Sequence, residues 1–250
     1  MDQCFRFTFN YRTSLLLHAD NVESGDRVKA WRVDPDHQAL AGKEKGDDRS
    51  PAWTWVSYLP VDPETGLASI PDFYLTSMLA SAGATIPTGK GTKSYKEAAC
   101  GAVFPEASFY PLEIKKVSVN ADLPDDPTEC RKLIASVPYT TIQMRPLLRT
   151  LGMMPGQTPD NDFTNHLAAV RGLGFDLDMR RAKIGKAKHV RVRPIFRFWR
   201  VTGKITVNTD LMPVAILERI FSVMGNRGMG DFRPSCPKPG RFGMFNATVE

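Results

Sequence analysis

The sequence predicts an α+β domain in which helices lie on one side of an antiparallel sheet. Three features predict it. Near the N-terminus Phe5, Phe7, Phe9 and Tyr11 recur at every second position, the period that puts side chains on one face of a strand. The segment IPDFYLTSMLASAG carries Phe73, Leu75, Met78, Leu79 and Ala82 at helical spacing. The last 45 residues read as strand, helix, glycine-rich loop and closing strand. With 250 residues and 42% hydrophobic composition, the chain has enough apolar material for a core.

The elements follow in order. QCFRFTFNYR opens with a period-two strand. Residues 18–50 are polar and charge-rich and read as a loop or excursion from the core. PAWTWVSYL alternates aromatic residues and reads as a strand, followed by turn chemistry in VDPETG. Pro71 and Asp72 start the first helix and Gly83 stops it. TGKGTKSYKEA reads as a loop, FYPLEIKKVSVNA as a strand, and DLPDDPTECRK as a polar turn opening a short helix. A further helix is expected near 160–171. RRAKIGKAKH reads as a charged hinge, 189–200 as a long strand edged or bulged at Pro194, Gly203 as a hairpin turn and KITVN as its return strand. Thr209 or Asp210 caps the last helix, with Pro213 in its first turn and Ile216, Ile220 and Val223 on one face.

Several classes are excluded or disfavoured. No run approaches 18 apolar residues, so no membrane span is expected. MDQCFRFTFNYR lacks the pattern of a secretory signal, which points to the cytoplasm. Cys4, Cys100, Cys130 and Cys236 are scattered, as are His18, His37, His166 and His189. Free thiols are expected, with neither a metal site nor a cofactor.

Charge carries the functional reading. The net charge is +6, and residues 179–204 hold ten Lys or Arg and no Asp or Glu. With +10 there and +6 overall, the other 224 residues sum to −4. The run comprises Arg180, Arg181, Lys183, Lys186, Lys188, Arg191, Arg193, Arg197, Arg200 and Lys204. Such a patch neutralises phosphates and releases their counterions. Phe196, Phe198 and Trp199 interleave with it; they read as core, and an exposed member would stack on a base. A second segment, GNRGMGDFRPSCPKPGRFG, combines Gly225, Gly228, Gly230, Gly240 and Gly243 with Arg227, Arg233, Lys238 and Arg241. It reads either as an anion-binding backbone concavity or as a structural return to the sheet. It follows a helix instead of preceding one, so it is no nucleotide-binding P-loop. Lys90 and Lys93 lie in a third, glycine-flanked loop that suits a nucleic-acid backbone or plain solvation.

The closing unit, with its glycines at 225, 228, 230, 240 and 243, resembles the end of RAMP-superfamily proteins, the Cas7-like backbone subunits of CRISPR effector complexes. It also resembles phage-encoded proteins with Gly-x-Gly-Asp-x-Arg-Pro and Gly-Arg-Phe near their C-terminus. The RAMP resemblance implies a ferredoxin-like or RRM-like sheet forming one domain over 1–250, with insertions near 18–50 and 85–200. It implies single-stranded RNA binding within a multi-subunit complex or homo-oligomer. The expected function is thus a noncatalytic RNA-binding subunit, with single-stranded DNA as a possible substitute ligand. Two alternatives stand beside it: a phage or prophage accessory protein acting through protein contacts, and a metal-independent RNA endonuclease using His18 or His166. No His-Glu-x-x-His, Gly-x-Ser-x-Gly or paired-carboxylate motif appears.

Overall fold

In the computed structural model the described residues are 1–18, 26, 29–30, 33, 52–117, 124–154, 156–184, 187–237 and 239–250. Residues 181–184 and 187–190 are described by their backbone alone. Most of the excursion expected over 18–50 therefore lies outside the described residues, as do Lys186 and Lys238.

The fold is α+β, built on an antiparallel sheet. Its central strands are β1 (Asp2–Tyr11) and β9 (Trp199–Asn208). β10 (Phe245–Val249) pairs the outer edge of β1, and β5 (Phe109–Lys115) pairs the first part of β9. The order is β10-β1-β9-β5-β3, with β3 at Ser69–Pro71. β4 (Val103–Pro105) pairs the second part of β9, and β6 (Tyr139–Thr141) pairs β5.

Period two dictates how the central strands are used. Phe7 and Phe9 are buried on β1, as are Trp199, Val201, Ile205 and Val207 on β9. Helices α1 (Asp72–Gly83) and α6 (Val214–Arg227) belong to this side: the Phe221 ring of α6 lies 6.2 Å from Phe7 and 5.9 Å from Phe9. Burying each such side chain contributes roughly 1.5–3 kcal/mol. The alternate positions stay wet. Arg6 stands opposite Lys204 and both are exposed, while Thr8 opposite Thr202 and Asn10 opposite Arg200 are half-buried.

A second, three-stranded antiparallel sheet has the order β2-β8-β7. β2 is Leu15–Leu16, β7 is Asp176–Ile184 and β8 is Ala187–Phe196. Arg197 and Phe198 carry the chain from β8 into β9, between the fully buried Phe196 and Trp199. Further helices are α2 (Lys96–Gly101), α3 (Pro127–Ser136), α4 (Arg145–Thr150) and α5 (Phe163–Leu173). Asp126 and Asp162 cap α3 and α5 by accepting from backbone N–H groups, and Gly174 ends α5 in a left-handed conformation.

Several sequence expectations need correction. Residues Ala52–Tyr58 form a 3-10 helix, not a strand. Trp53 and Trp55 are buried, but so are Ala52 and Thr54, so alternation of residue size did not mean alternation of exposure. Gly203 is no turn. It sits mid-strand opposite Phe7, where a Cβ would meet the Tyr110 ring and come within 2.7 Å of the Phe7 ring. Of the hinge expected at 180–189, residues 180–184 and 187–189 instead belong to the paired arms of β7 and β8, and the strand expected over 189–200 breaks at Arg197. Lys96, Glu97 and Ala98 belong to α2, not to the preceding loop. Pro213 caps α6 without a side-chain hydrogen bond, while Asp210 pairs with the N-terminal amine. Among the described residues, no helix is long and apolar enough to cross a membrane.

Candidate nucleic-acid interface

The basic run lands on the β7–β8 hairpin and the start of β9. Nine residue pairs join the hairpin arms, from Asp176 with Ile195 to Ile184 with Ala187. This register sets Arg180 opposite Arg191, Lys183 opposite Lys188 and Asp178 opposite Arg193. Like charges across an antiparallel pair weaken it, so the distal arms gain from an anionic partner.

Near the root, carboxylates answer the cations. Arg180 Nε donates to Asp178 Oδ1 at 2.7 Å, and Arg197 lies 3.6 Å from Asp176. Arg200 Nε donates to Glu113 Oε2 at 2.7 Å, and its guanidinium sits 4.1 Å from the Tyr139 ring centroid. Arg193 is 1% exposed. Its Nη1 donates to Asp231 Oδ2 at 2.5 Å, its Nη2 lies 3.6 Å from Asp178, and it faces the Phe232 ring at 4.9 Å. The ten cations are therefore not one unanswered row. Arg191 Nη1 lies 2.7 Å from His18 Nε2, which must accept because a guanidinium only donates. Phe196 and Trp199 are core, and Phe198 packs edge-on against Tyr11 at 5.3 Å, so the run does not stack bases through its buried rings.

Lys115 borders the Tyr139 cluster. Its Nζ donates to the Ile134 and Ala135 carbonyls at 2.8 and 2.9 Å, capping the end of α3. Burial, and then the Arg200 charge, hold its pKa below the usual lysine range.

The glycine loop and the hairpin are brought together. Arg193 reaches Asp231 and Phe232, and the Arg180 guanidinium lies 5.1 Å from the Phe242 ring. The loop's own backbone is largely committed to the protein. Met229 N–H donates to Gly243 O, Asp231 N–H to Leu16 O, Phe242 N–H to Phe232 O and Gly243 N–H to Ser14 O. Gly230 and Gly243 have φ of 81° and 67°, and a Cβ on either would collide with the carbonyl of Leu16 or Met229. Gly225 and Gly240 give similar room to the carbonyls of Phe245 and Phe232, and Gly228 faces Phe242 O. The bonds within the loop close it on itself, while Asp231 and Gly243 tie it to β2 and to the β1–β2 connection.

One hollow opens beside this loop. It has a volume of about 180 Å³ and lies between α1, the end of α6 and residues 228–235. Arg227 and Arg233 both line it, with Ser77, Ser81, Ser235 and the rings of Phe73 and Tyr74. Arg227 Nε donates to Ser81 Oγ at 3.1 Å; Arg233 donates to Ser235 Oγ at 2.9 Å and Gly230 O at 2.5 Å. Phe73, expected on the buried stripe of α1, is 60% exposed. Phe73, Ser77 and Ser81 lie on α1, far in sequence from Arg227, Arg233 and Ser235, so only folding gathers them.

The other expected residues are dispersed. Lys90 and Lys93 are exposed on a loop closed by Thr88 N–H donating to Lys93 O. Lys204 and Arg241 are exposed. Arg181, Lys183 and Lys188 are placed on the hairpin by their backbone. Among the described residues no group of His, Cys, Asp and Glu is arranged to hold a metal ion.

His166 does not fit a catalytic base. It is fully buried; Nδ1 accepts from Trp55 Nε1 at 3.0 Å and Nε2 lies 2.6 Å from the Asp160 carbonyl. Both ring nitrogens are occupied in a structural bridge, with the proton on Nε2. His18 is stacked on Tyr58 at 4.3 Å and held by Arg191. Cys4 is exposed, but desolvation and its hydrogen bond with Glu106 raise its thiol pKa, the reverse of an activated nucleophile. No protein-family model matches the chain, and no curated protein matches it in sequence.

Proposed function

We propose that this protein is a noncatalytic single-stranded-RNA-binding subunit of a ribonucleoprotein or homo-oligomer, and that the β7–β8 hairpin is its main contact. The observation that carries this reading is the hairpin register. Beyond the Arg180–Asp178 ion pair, the arms set Lys183 opposite Lys188, and no carboxylate occurs in the sequence until Asp210. A phosphate chain neutralises such an arm at no cost in buried surface.

The ferredoxin-like or RRM-like assignment belongs to the same proposal. In its support, the sheet order β10-β1-β9-β5 places the first and third core strands at the centre. Helix α1 falls between β1 and β5, and α6 between β9 and β10, as that topology requires. The wet sheet face bearing Arg6, Lys204, Thr8 and Thr202 suits a polar strand of RNA. Kinship with the RAMP superfamily rests on this order and on the glycine loop after α6. Residence in the cytoplasm is supported by four cysteines that are all free thiols.

Fluorescence anisotropy with single-stranded RNA, single-stranded DNA and duplex DNA tests the reading. RNA should bind tightest and weaken steeply with salt. Micromolar or weaker binding to all three at low salt overturns it. A protein partner that survives nuclease treatment, with no nucleic acid copurifying, would instead favour an accessory role.

A further inference from the structure

We infer that the hollow between α1, the end of α6 and the glycine loop binds a phosphomonoester joined to a flat ring, that is, a nucleoside 5′-monophosphate group. The site is separate from the proposed hairpin contact and does not depend on it.

Charge is the first argument. Arg227 and Arg233 line one hollow of about 180 Å³, and no Asp or Glu lines it. Neither arginine has a carboxylate partner among the described residues. Elsewhere carboxylates answer the buried Arg193, through Asp178 and Asp231, and the half-buried Arg200, through Glu113. Two half-buried guanidiniums held only by hydroxyls and a carbonyl keep donor capacity for an anion.

The kind of anion follows from the charge count. A phosphomonoester carries about −1.5 to −2 near pH 7 and offers three acceptor oxygens. A phosphodiester inside a strand carries one negative charge. Two guanidiniums, with Ser77 and Ser81 hydroxyls beside them, match the monoester better. The hollow is below the roughly 300–1,000 Å³ of sites that enclose a whole drug-sized ligand. It therefore seats the phosphate and leaves the attached group at the rim.

The rim has a platform for a ring. Phe73 is 60% exposed on the first turn of α1, with its ring 4.9 Å from Tyr74. A large aromatic left in solvent beside a paired-cation pocket is suited to stack a base. Gly230 adds to the site: it lines the hollow, and its N–H makes no hydrogen bond among the described residues.

Two sources carry this chemistry, a free mononucleotide and the 5′-phosphorylated end of an RNA. Isothermal titration of the full chain separates them, using AMP, UMP, adenosine, inorganic phosphate, and one RNA oligonucleotide with and without a 5′-phosphate. AMP and UMP should bind, and adenosine should bind at least about tenfold more weakly. An oligonucleotide that binds more tightly with its 5′-phosphate than without it, and more tightly than AMP, identifies the strand end. AMP binding with no such preference identifies the free nucleotide. Arg227→Gln should weaken AMP by about tenfold or more. Phe73→Ala, at an exposed position that spares the core, should weaken AMP but leave inorganic phosphate unchanged. Arg180→Gln on the hairpin should leave AMP binding intact even if it weakens RNA, so the two proposals fail independently. Absence of AMP and UMP binding at millimolar concentration overturns the inference, as does AMP affinity unchanged in both Arg227→Gln and Phe73→Ala.

Discussion

Replacing Arg193 by methionine should unlatch the hairpin from the glycine loop. The methionine keeps much of the buried stem but deletes a guanidinium that bridges Asp178 on β7 and Asp231 on the loop. The arginine side chain is 2% exposed, against 12% for Asp178 and 27% for Asp231. Arg193 Nε and Nη2 and Asp178 Oδ2 already lack hydrogen-bond partners, so the bridge is only partly satisfied. Removing one member of a buried ion pair costs about 3–5 kcal/mol because the other charge is stranded. Partial exposure of Asp231 lets water reach it, which puts the expected loss near the lower end, about 3 kcal/mol. For a chain of this size that corresponds to a Tm lower by roughly 6–12 °C. Urea denaturation of Arg193→Met, Asp231→Asn and the double variant measures it. The double variant should be less damaged than the sum of the singles by about 1–3 kcal/mol. A loss under about 1 kcal/mol in Arg193→Met, with additive single variants, would refute the latch.

Three further outcomes follow from the packing. Gly203→Ala should cost about 1–3 kcal/mol in urea denaturation, since its Cβ enters the Tyr110 and Phe7 rings; a neutral change would show that the sheet absorbs it. Lys115→Met should cost about 1–3 kcal/mol and raise amide exchange selectively in residues 127–136, because Lys115 caps α3; uniform exchange would argue against that role. Asp160 has a depressed pKa, first through the Asp162 N–H it accepts and then through Asn165. Its folded value lies below its unfolded one, so its stabilisation is complete above about pH 4 and is lost as pH falls through the folded value. Asp160→Asn should flatten the acid limb of the stability–pH curve without changing its slope near neutrality.

Strand β1 and the last helix were legible because one-sided burial leaves a period in the sequence. Phe7 and Phe9 carry that signal on β1. On α6 the expected face of Ile216, Ile220 and Val223 is rotated slightly: the fully buried side chains are Leu217, Ile220, Phe221 and Met224, while Ile216 and Val223 are half-buried. Trp53 and Trp55 misled it: a short aromatic run buried on all sides has no face to read. Gly203 misled it differently, because the reason for a glycine there is the pair of rings on neighbouring strands, Phe7 and Tyr110. The basic run was visible as composition, yet its neutralisation was not. Asp176 and Asp178 end just before residue 179, and the period of β7 sets Asp178 beside Arg180. Asp231 and Glu113 answer Arg193 and Arg200 from far along the chain. The hollow was invisible, since its arginines, serines and Phe73 come from three separate segments.

The distal hairpin is the proposed RNA contact, and the slope of RNA affinity against salt tests it most directly. For single-stranded RNA, log K should fall linearly with log salt, at about −0.7 per phosphate neutralised. A variant with Lys183 and Lys188 both changed to Gln should have a shallower slope by about 1.4, with stability unchanged or improved by relief of the opposed charges. An identical slope and affinity in wild type and variant would contradict the hairpin as the RNA contact.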